Sequence, residues 1–462
     1  MKRSRIRLAL HAPLALVLLA GCASSPPAPT TDELLRAATG TEDAIVLDVT
    51  GGSVDAAGEP VGILTLAEAV RRSLTTDARI QSALSRVRIA QAQARQSWLW
   101  PNPILSVAIR FPEGGGSANI DAGLTADLVS LLQRRGRISV ADSRLRAASA
   151  EAVTIVLDTL TEVQERYVAV QASDELRATL DARRTINERL LAVAQARLAV
   201  QEGTRLDVLT LQSQSVALDG QIAEQELDRH EQRLALSGLI GQPSGGAEWR
   251  VTPLRPAAVS IAEASQWLAA AIKNRPEVQS RRWELAALGA EQSLTRFAPG
   301  DGAEAGVAAE RDPDWSAGPS VALPLPLFDF GQARRVKARA AVIEARHELT
   351  QAQRVVIGET RGAHASYLAA RANLERVEKQ LIPLEQRRRD QAEAQYKAGQ
   401  TDITTLLIAE QDFATARTRL IQLEQRIAVS LLRLQRAVGG SGVAGPLQEA
   451  APITAPASKP VQ

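Results

Sequence analysis

Asn119-Ile120-Asp121-Ala122-Gly123-Leu124-Thr125-Ala126-Asp127-Leu128 alternates along its length. Ile120, Ala122, Leu124 and Ala126 share one face, and Asp121, Gly123, Thr125 and Asp127 the other. A period of two with one apolar face is the pattern of a β-strand. Just upstream, Pro103-Ile104-Leu105-Ser106-Val107-Ala108-Ile109-Arg110-Phe111 is extended-prone, and Glu113-Gly114-Gly115-Gly116 supplies a turn. A β-hairpin is therefore expected over 103–128. The pattern returns later in the chain: Gly302 to Glu310, a turn at Asp312-Pro313-Asp314, then Gly318 to Leu325, a second hairpin over 302–325. Strands of about ten residues suit a transmembrane barrel. Four strands cannot close one, since the smallest bacterial barrels use about eight, and lipid does not tolerate an open sheet edge. Either the hairpins lie in water or several chains share one barrel.

Outward from the hairpins the period changes to seven. Leu406, Phe413, Leu420, Ile427 and Leu434 form one row, and Ala409, Ala416, Leu423, Ser430 and Ala437 a second row offset by three. This is a coiled-coil seam. Ala338, Val342, Ala345, Leu349, Ala352 and Val356 make a partner seam, and Ile138, Ala141, Leu145, Ala148, Ala152 and Ile155 one in the first half. Alanine on one side of each seam allows close helix approach. Long helix pairs are expected over 137–242 and 332–438. Residues 137–199, if continuous, would reach about 90 Å at 1.5 Å per residue. Periodicity alone leaves open an ordinary antiparallel bundle or a cytoskeletal coiled coil.

The halves are related. Shifted by 198 residues, Ile80-Gln81-Ser82 falls on Val278-Gln279-Ser280, Pro101 on Pro299, Arg137-Ile138 on Arg335-Val336 and Val208-Leu209 on Leu406-Leu407. Tyr167 and Tyr367 match after a slip of two. The chain divides into a first repeat over 61–250 and a second over 251–440, each a helix, a hairpin and a long helix pair.

The ends carry other signals. Met1-Lys2-Arg3-Ser4-Arg5-Ile6-Arg7 is basic, Leu8 to Ala20 is apolar, and Leu19-Ala20-Gly21-Cys22 follows. This reads as a signal peptide over 1–21 ending in a lipobox, with Cys22 acylated as the first mature residue. Cys22 is the only cysteine in 462 residues, which excludes disulfides, CxxC redox motifs and cysteine metal sites. Ala23, rather than an Asp, favours outer-membrane sorting in a Gram-negative cell. Residues 22–60 read as a lipidated arm and 441–462 as a loose tail. No later apolar run reaches about eighteen residues, so no transmembrane helix is expected. Lys plus Arg number 54 against 52 Asp plus Glu, which argues against a nucleic-acid partner held by phosphate charge. His230, His347 and His364 lack ligand spacing, Met1 is the sole methionine, and neither a nucleophile elbow nor a phosphate loop is present. No catalytic residue, metal or cofactor is expected beyond the lipid on Cys22.

In order along the chain, several motifs resemble the TolC-like outer-membrane factors, the outer membrane efflux protein family, in its lipoprotein subclass. Asn274-Arg275-Pro276-Glu277-Val278 is similar to the family's NxPE-type helix opening, with Thr76-Asp77-Ala78-Arg79-Ile80 as a weaker first copy. Trp100-Pro101-Asn102-Pro103 resembles the PNP lead into the first strand, and Leu325-Pro326-Leu327-Phe328-Asp329-Phe330-Gly331-Gln332 the exit from the second hairpin. Tyr396-Lys397-Ala398-Gly399 with Leu406-Leu407-Ile408-Ala409-Glu410 resembles the helix-turn-helix tip, and Leu239-Ile240-Gly241-Gln242-Pro243 the closing LxGxP. The resemblance spans about 61–440. It implies a mainly α fold with a small β part: a homotrimer sharing a twelve-stranded outer-membrane β-barrel above a periplasmic α-barrel of antiparallel coiled-coil helices. It further implies a passive exit duct joined through a periplasmic adaptor (membrane fusion protein) to an inner-membrane pump of RND type. The other reading is a periplasmic coiled-coil structural or adaptor lipoprotein, which would carry a single helical hairpin and a compact β-rich domain.

Site expectations follow. Trp98 and Trp100 are placed at the membrane-interface girdle, with packing at the helix–strand junction as the other reading. Gln201 and Gly399 mark equivalent turns at the two periplasmic tips. Asp207 aligns with Thr405, so an acidic ring at the second tip is not expected. An Asp207–Tyr396 hydrogen bond across the tip is the candidate gate contact.

Overall fold

The computed structural model describes residues 47–48, 51–55, 58, 62–111, 113, 115, 117–254, 263–311 and 314–440, with backbone alone at 260–261 and 447–448. The signal segment 1–21, Cys22, most of the arm and most of the tail lie outside the described residues.

Each repeat opens with a short helix and a longer one. Helices α1 (Leu66–Thr76) and α2 (Ala78–Trp98) are separated by Asp77, whose carboxylate accepts from the Arg79 and Ile80 N–H groups and caps α2. In the second repeat α5 (Ala264–Asn274) and α6 (Pro276–Leu294) are separated by Arg275, and Pro276 stands at the first helical position, where its missing N–H costs nothing. The hairpins are β2 (Ile104–Arg110) with β3 (Asn119–Asp127) and β6 (Glu304–Arg311) with β7 (Trp315–Ala322). They join in one antiparallel sheet of order β2-β3-β6-β7.

The long helices begin at the sheet. Helix α3 runs without a break from Leu128 to Ala199, 72 residues or about 108 Å at 1.5 Å per residue. Its start lies nine residues before the expected 137. Asp127, the last strand residue, caps it through the Ser130 N–H (2.9 Å), so strand passes into helix with no linker. Helix α4 (Arg205–Leu239) returns from the tip. In the second repeat α7 (Gln332–Arg376), a π-helical turn at Val377–Leu381 and α8 (Ile382–Lys397) form the outgoing rod, and α9 (Ile403–Ala437) returns. Pro383 has no N–H and its ring crowds the preceding turn, which accounts for the π-turn just before it.

The 198-residue shift holds for the helices. It carries the starts of α1, α2 and α4 onto those of α5, α6 and α9 (66 to 264, 78 to 276, 205 to 403) and fails around the hairpins. Tyr167 and Tyr367, the pair offset by two more, are both fully buried. A two-residue parallel pair, β1 (Ile63–Leu64) with β4 (Arg250–Val251), ties the first repeat's ends, and β5 (Ser260–Ile261) with β8 (Leu447–Gln448) ties the second's.

Burial follows the seams with two corrections. Leu406, Ala409, Phe413, Ala416, Leu423, Ile427 and Leu434 are buried, but Leu420 is half-buried and Ile421 is inside instead. In α3 the predicted row keeps only Ala152 fully inside; the core residues are Val140, Val153, Val156, Leu157, Leu160 and Val163. Helix α3 packs on α2, α4, α6 and α9, so it is covered on more than one side and a single heptad stripe does not describe it.

Candidate functional site: the sheet and the helical tips

The strand register sorts the sheet into two faces. Leu105, Val107 and Ile109 of β2, Ala122, Leu124 and Ala126 of β3, Ala305, Val307 and Ala309 of β6, and Ala317, Pro319 and Val321 of β7 share one face. The other carries Ser106 and Arg110, Asp121, Thr125 and Asp127, Glu304 and Glu310, Ser316 and Ser320, with Gly123, Gly306 and Gly318 between them. Arg110 pairs with Asp121 at 2.9 Å, and the Thr125 hydroxyl donates to Glu304 at 2.9 Å. Eight residues of strand reach about 26 Å, the height of a lipid-facing band. Aromatics stand at both ends: Trp100 (64% exposed) and Phe330 at the helical end, Phe111 (81% exposed) and Trp315 at the far end. Trp98 and Trp100 differ. The Trp98 carbonyl accepts from Arg134 (2.6 Å) at the helix–strand junction, while Trp100 projects outward with the Arg134 guanidinium 4.9 Å from its ring. Phe111 and Trp315 were missed in the sequence; each flanks a turn, and that position was the available signal.

Both sheet edges, β2 and β7, are unpaired. Every residue of β2 is exposed. No helix among the described residues is long and apolar enough to cross a membrane.

At the opposite end of α3, two turns form the tips. Gln201 and Gly399 both adopt positive φ (65° and 72°), as equivalent turn residues should. Glycine takes this conformation freely; Gln201 bears a steric cost. In the first tip Thr204 caps α4, with its hydroxyl accepting from the Asp207 N–H (3.1 Å) and the Asp207 carboxylate accepting from the Thr204 N–H (3.2 Å). In the second tip Asp402 caps α9, accepting from the Thr405 N–H (3.0 Å) and hydroxyl (2.9 Å). The pair is thus exchanged between repeats, Thr-x-x-Asp against Asp-x-x-Thr. The second tip does carry an acid, three residues before the position compared in the sequence.

The expected Asp207–Tyr396 hydrogen bond does not form, because the Asp207 carboxylate serves its own helix start. Tyr396 is buried among Leu190, Ala194, Leu211, Ile403 and Leu406. Burial raises its pKa, the Asp207 carboxylate adds to the rise, and Arg197 opposes it. Arg197 is the residue that bridges the two tips. It donates to the Tyr396 carbonyl (3.1 Å) and to the Glu202 carbonyl (3.3 Å), and its guanidinium lies 5.3 Å from the Tyr396 ring centre. Its place three residues before the tip turn gave no sequence signal.

Residues 267–440 match the family model of the outer membrane efflux proteins. Over that stretch the chain is similar to that family. The Pyoverdine export outer membrane protein OpmQ of Pseudomonas aeruginosa is 23% identical over 406 residues, 80% of this chain and 84% of that protein. The crystal structure of the outer membrane protein VceC from Vibrio cholerae aligns with a TM-score of 0.69 at 18% identity, covering 81% of this chain and 96% of that one. The outer-membrane channel OprN aligns with a TM-score of 0.69 at 19% identity, covering 82% and 90%. The mainly helical fold with its duplicated hairpins is therefore shared with these outer-membrane proteins.

Proposed function

We propose that three copies of this chain form an outer-membrane efflux channel, the exit duct of a tripartite system. The hairpins join into a twelve-stranded barrel in the outer membrane, and the long helices form a periplasmic conduit that ends at the tips. The carrying observation is the four-stranded sheet: one apolar and one polar face, open at both edges, continuous with a 72-residue helix. An open edge is expensive in lipid, and shared closure removes it. The relatives' names support the reading, since one is an export outer membrane protein and another an outer-membrane channel. Transport is passive and involves no chemistry on the cargo. Energy comes from an inner-membrane pump of RND type reached through a periplasmic adaptor at the tips. Cys22 carries the lipid anchor, supported by the lipobox and the lone cysteine.

The test is reconstitution. Purified protein should run as a trimer by native mass spectrometry, resist carbonate extraction from outer membranes and give discrete conductance steps in planar bilayers. A monomer in mild detergent that is released by carbonate would refute the shared barrel. Cells fed a palmitate analogue should label the wild type and not Cys22→Ser; an unlabelled wild type removes the anchor from the proposal.

A further inference from the structure

The two repeats leave the sheet differently. In the first, Asp127 ends the strand and Leu128 begins the helix. In the second, nine residues, 323–331, separate β7 from α7. This linker is apolar and outward-facing. Leu323, Leu325, Leu327 and Phe330 are more than half exposed, and Phe328 is 91% exposed. It is nevertheless held in place. The Leu327 N–H donates to the Leu325 carbonyl (2.8 Å), the Gly331 N–H to the Asp329 carboxylate (2.7 Å), and Arg335 to the Phe330 carbonyl (2.9 Å). Arg334 pairs with both Asp329 and Asp301. Pro324 and Pro326 fix two further φ angles. A fixed segment whose large apolar side chains have no partner is a preformed contact surface.

The strand order identifies the occupant. All three strand pairs are antiparallel, so the edge strands β2 and β7 run in opposite directions. The β7 edge of one copy can therefore pair antiparallel with the β2 edge of the next. Descending past Ala322, the linker then lies beside the chain that rises into β2 of the neighbour. That chain presents exposed apolar side chains of its own, Leu99, Trp100 and Leu105. The register sets Ala322 level with Glu304 and Asp127, two residues below the height of Ile104, so the linker begins at the height of this entry segment. Lipid is the poorer occupant, because Asp329, Arg334, Asp301 and Arg335 stand at the linker's end.

We infer that the linker 323–330 is a subunit lock, seated on residues 99–105 of the partner subunit. The inference rests on the shared-barrel reading above. It explains why only the second repeat needs a linker: β3 is enclosed within its own sheet, whereas β7 meets another copy.

The test is disulfide mapping in full-length protein assembled in outer membranes. Leu325→Cys is combined in turn with Trp100→Cys, Asn102→Cys and Ile104→Cys, with each single variant as a control. At least one pair should give oxidant-dependent, reducible dimers and trimers absent from the controls. Phe328→Ala with Leu325→Ser should lower the trimer fraction about threefold or more at the temperature that half-dissociates the wild type. Native trimers with no crosslink for any pair would overturn the lock while leaving the duct intact, and monomers would overturn the duct itself. A dye on Phe328→Cys quenched strongly by brominated lipid, without crosslinking, would assign the linker to the membrane and also overturn the lock.

Discussion

Glu277 holds two buried arginines, one of which, Arg436, ties the second repeat to Asp158 of the first. Arg275 donates to both of its oxygens (3.1 Å each) and to Glu359 on α7 (2.7 Å); Arg436 of α9 reaches Glu277 and Asp158 of α3. Both arginines are buried. Burial alone would push the Glu277 carboxyl up, but Arg275 and Arg436 outweigh it and hold the group at about 2. A carboxyl held below its unfolded value of 4.5 stabilises the fold fully above that pH, and the contribution disappears as pH falls toward 2. The shift corresponds to about 3 kcal/mol. Glu277→Gln removes the carboxylate that two buried arginines share, leaving Arg275 with Glu359 and Arg436 with Asp158, and is expected to destabilise by about 3 kcal/mol. Its thermal melting should show a shallower acid-dependent decline between pH 4.5 and 2, the remainder coming from other lowered carboxyls such as Asp127 and Asp181, and an acid limb as steep as the wild type's would contradict this. Glu424 has the opposite sign. Burial, and then the carboxylates of Glu175 and Glu378, raise it to about 7. The folded state then holds an extra proton, so stability falls as pH rises from 4.5 to about 7. Glu424→Gln should flatten that fall and melt higher at pH 8, a gain of about 1–2 kcal/mol after solvent screening. Equal melting at pH 8 would show the pair of neighbouring carboxylates to be harmless.

Among the elements, the α9 seam gives the cleanest packing test. Ala409 is 1% exposed beside Leu406, Leu211 and Tyr396. Ala409→Leu forces several carbons into a close-packed layer and should cost about 1–3 kcal/mol, read as a lower melting temperature with unchanged helix content. The seam was legible because the buried residues of α9 keep largely to two rows along its whole length. The interior row of α3 was not, because four helices surround that rod and its apolar positions spread over several faces. The hairpins were legible from their period of two. The start of α3 was missed because Leu128-Val129-Ser130-Leu131-Leu132 continues the apolar character of the strand, and only the Asp127 cap marks the change. Side-chain pairings were the least legible. Asp207 and Tyr396 were both placed at the tips, but a sequence does not reveal that Thr204 already occupies the Asp207 carboxylate or that Arg197 reaches the other hairpin.

For the whole molecule the last question is what keeps the resting duct narrow. Each chain brings two helical tips together, and within the chain the polar tie between them is Arg197, joined to Tyr396 through a hydrogen bond to its carbonyl and a guanidinium–ring contact. Such a tie is worth about 1–3 kcal/mol per copy. In the proposed trimer that is enough to bias the tips toward closure and little enough for a docked partner to overcome. Arg197→Ala should therefore leave assembly intact while raising single-channel conductance severalfold, and should sensitise cells to a large antibiotic such as vancomycin. Arg197→Lys keeps the charge but loses the planar fork and should fall between. Asp207→Ala removes only the reciprocal half of the capping box that Thr204 begins, at a cost of about 1 kcal/mol, and should conduct like the wild type. The opposite ranking, with Asp207→Ala leaking and Arg197→Ala tight, would return the gate to Asp207 and show that the tie within one chain does not govern the closed duct.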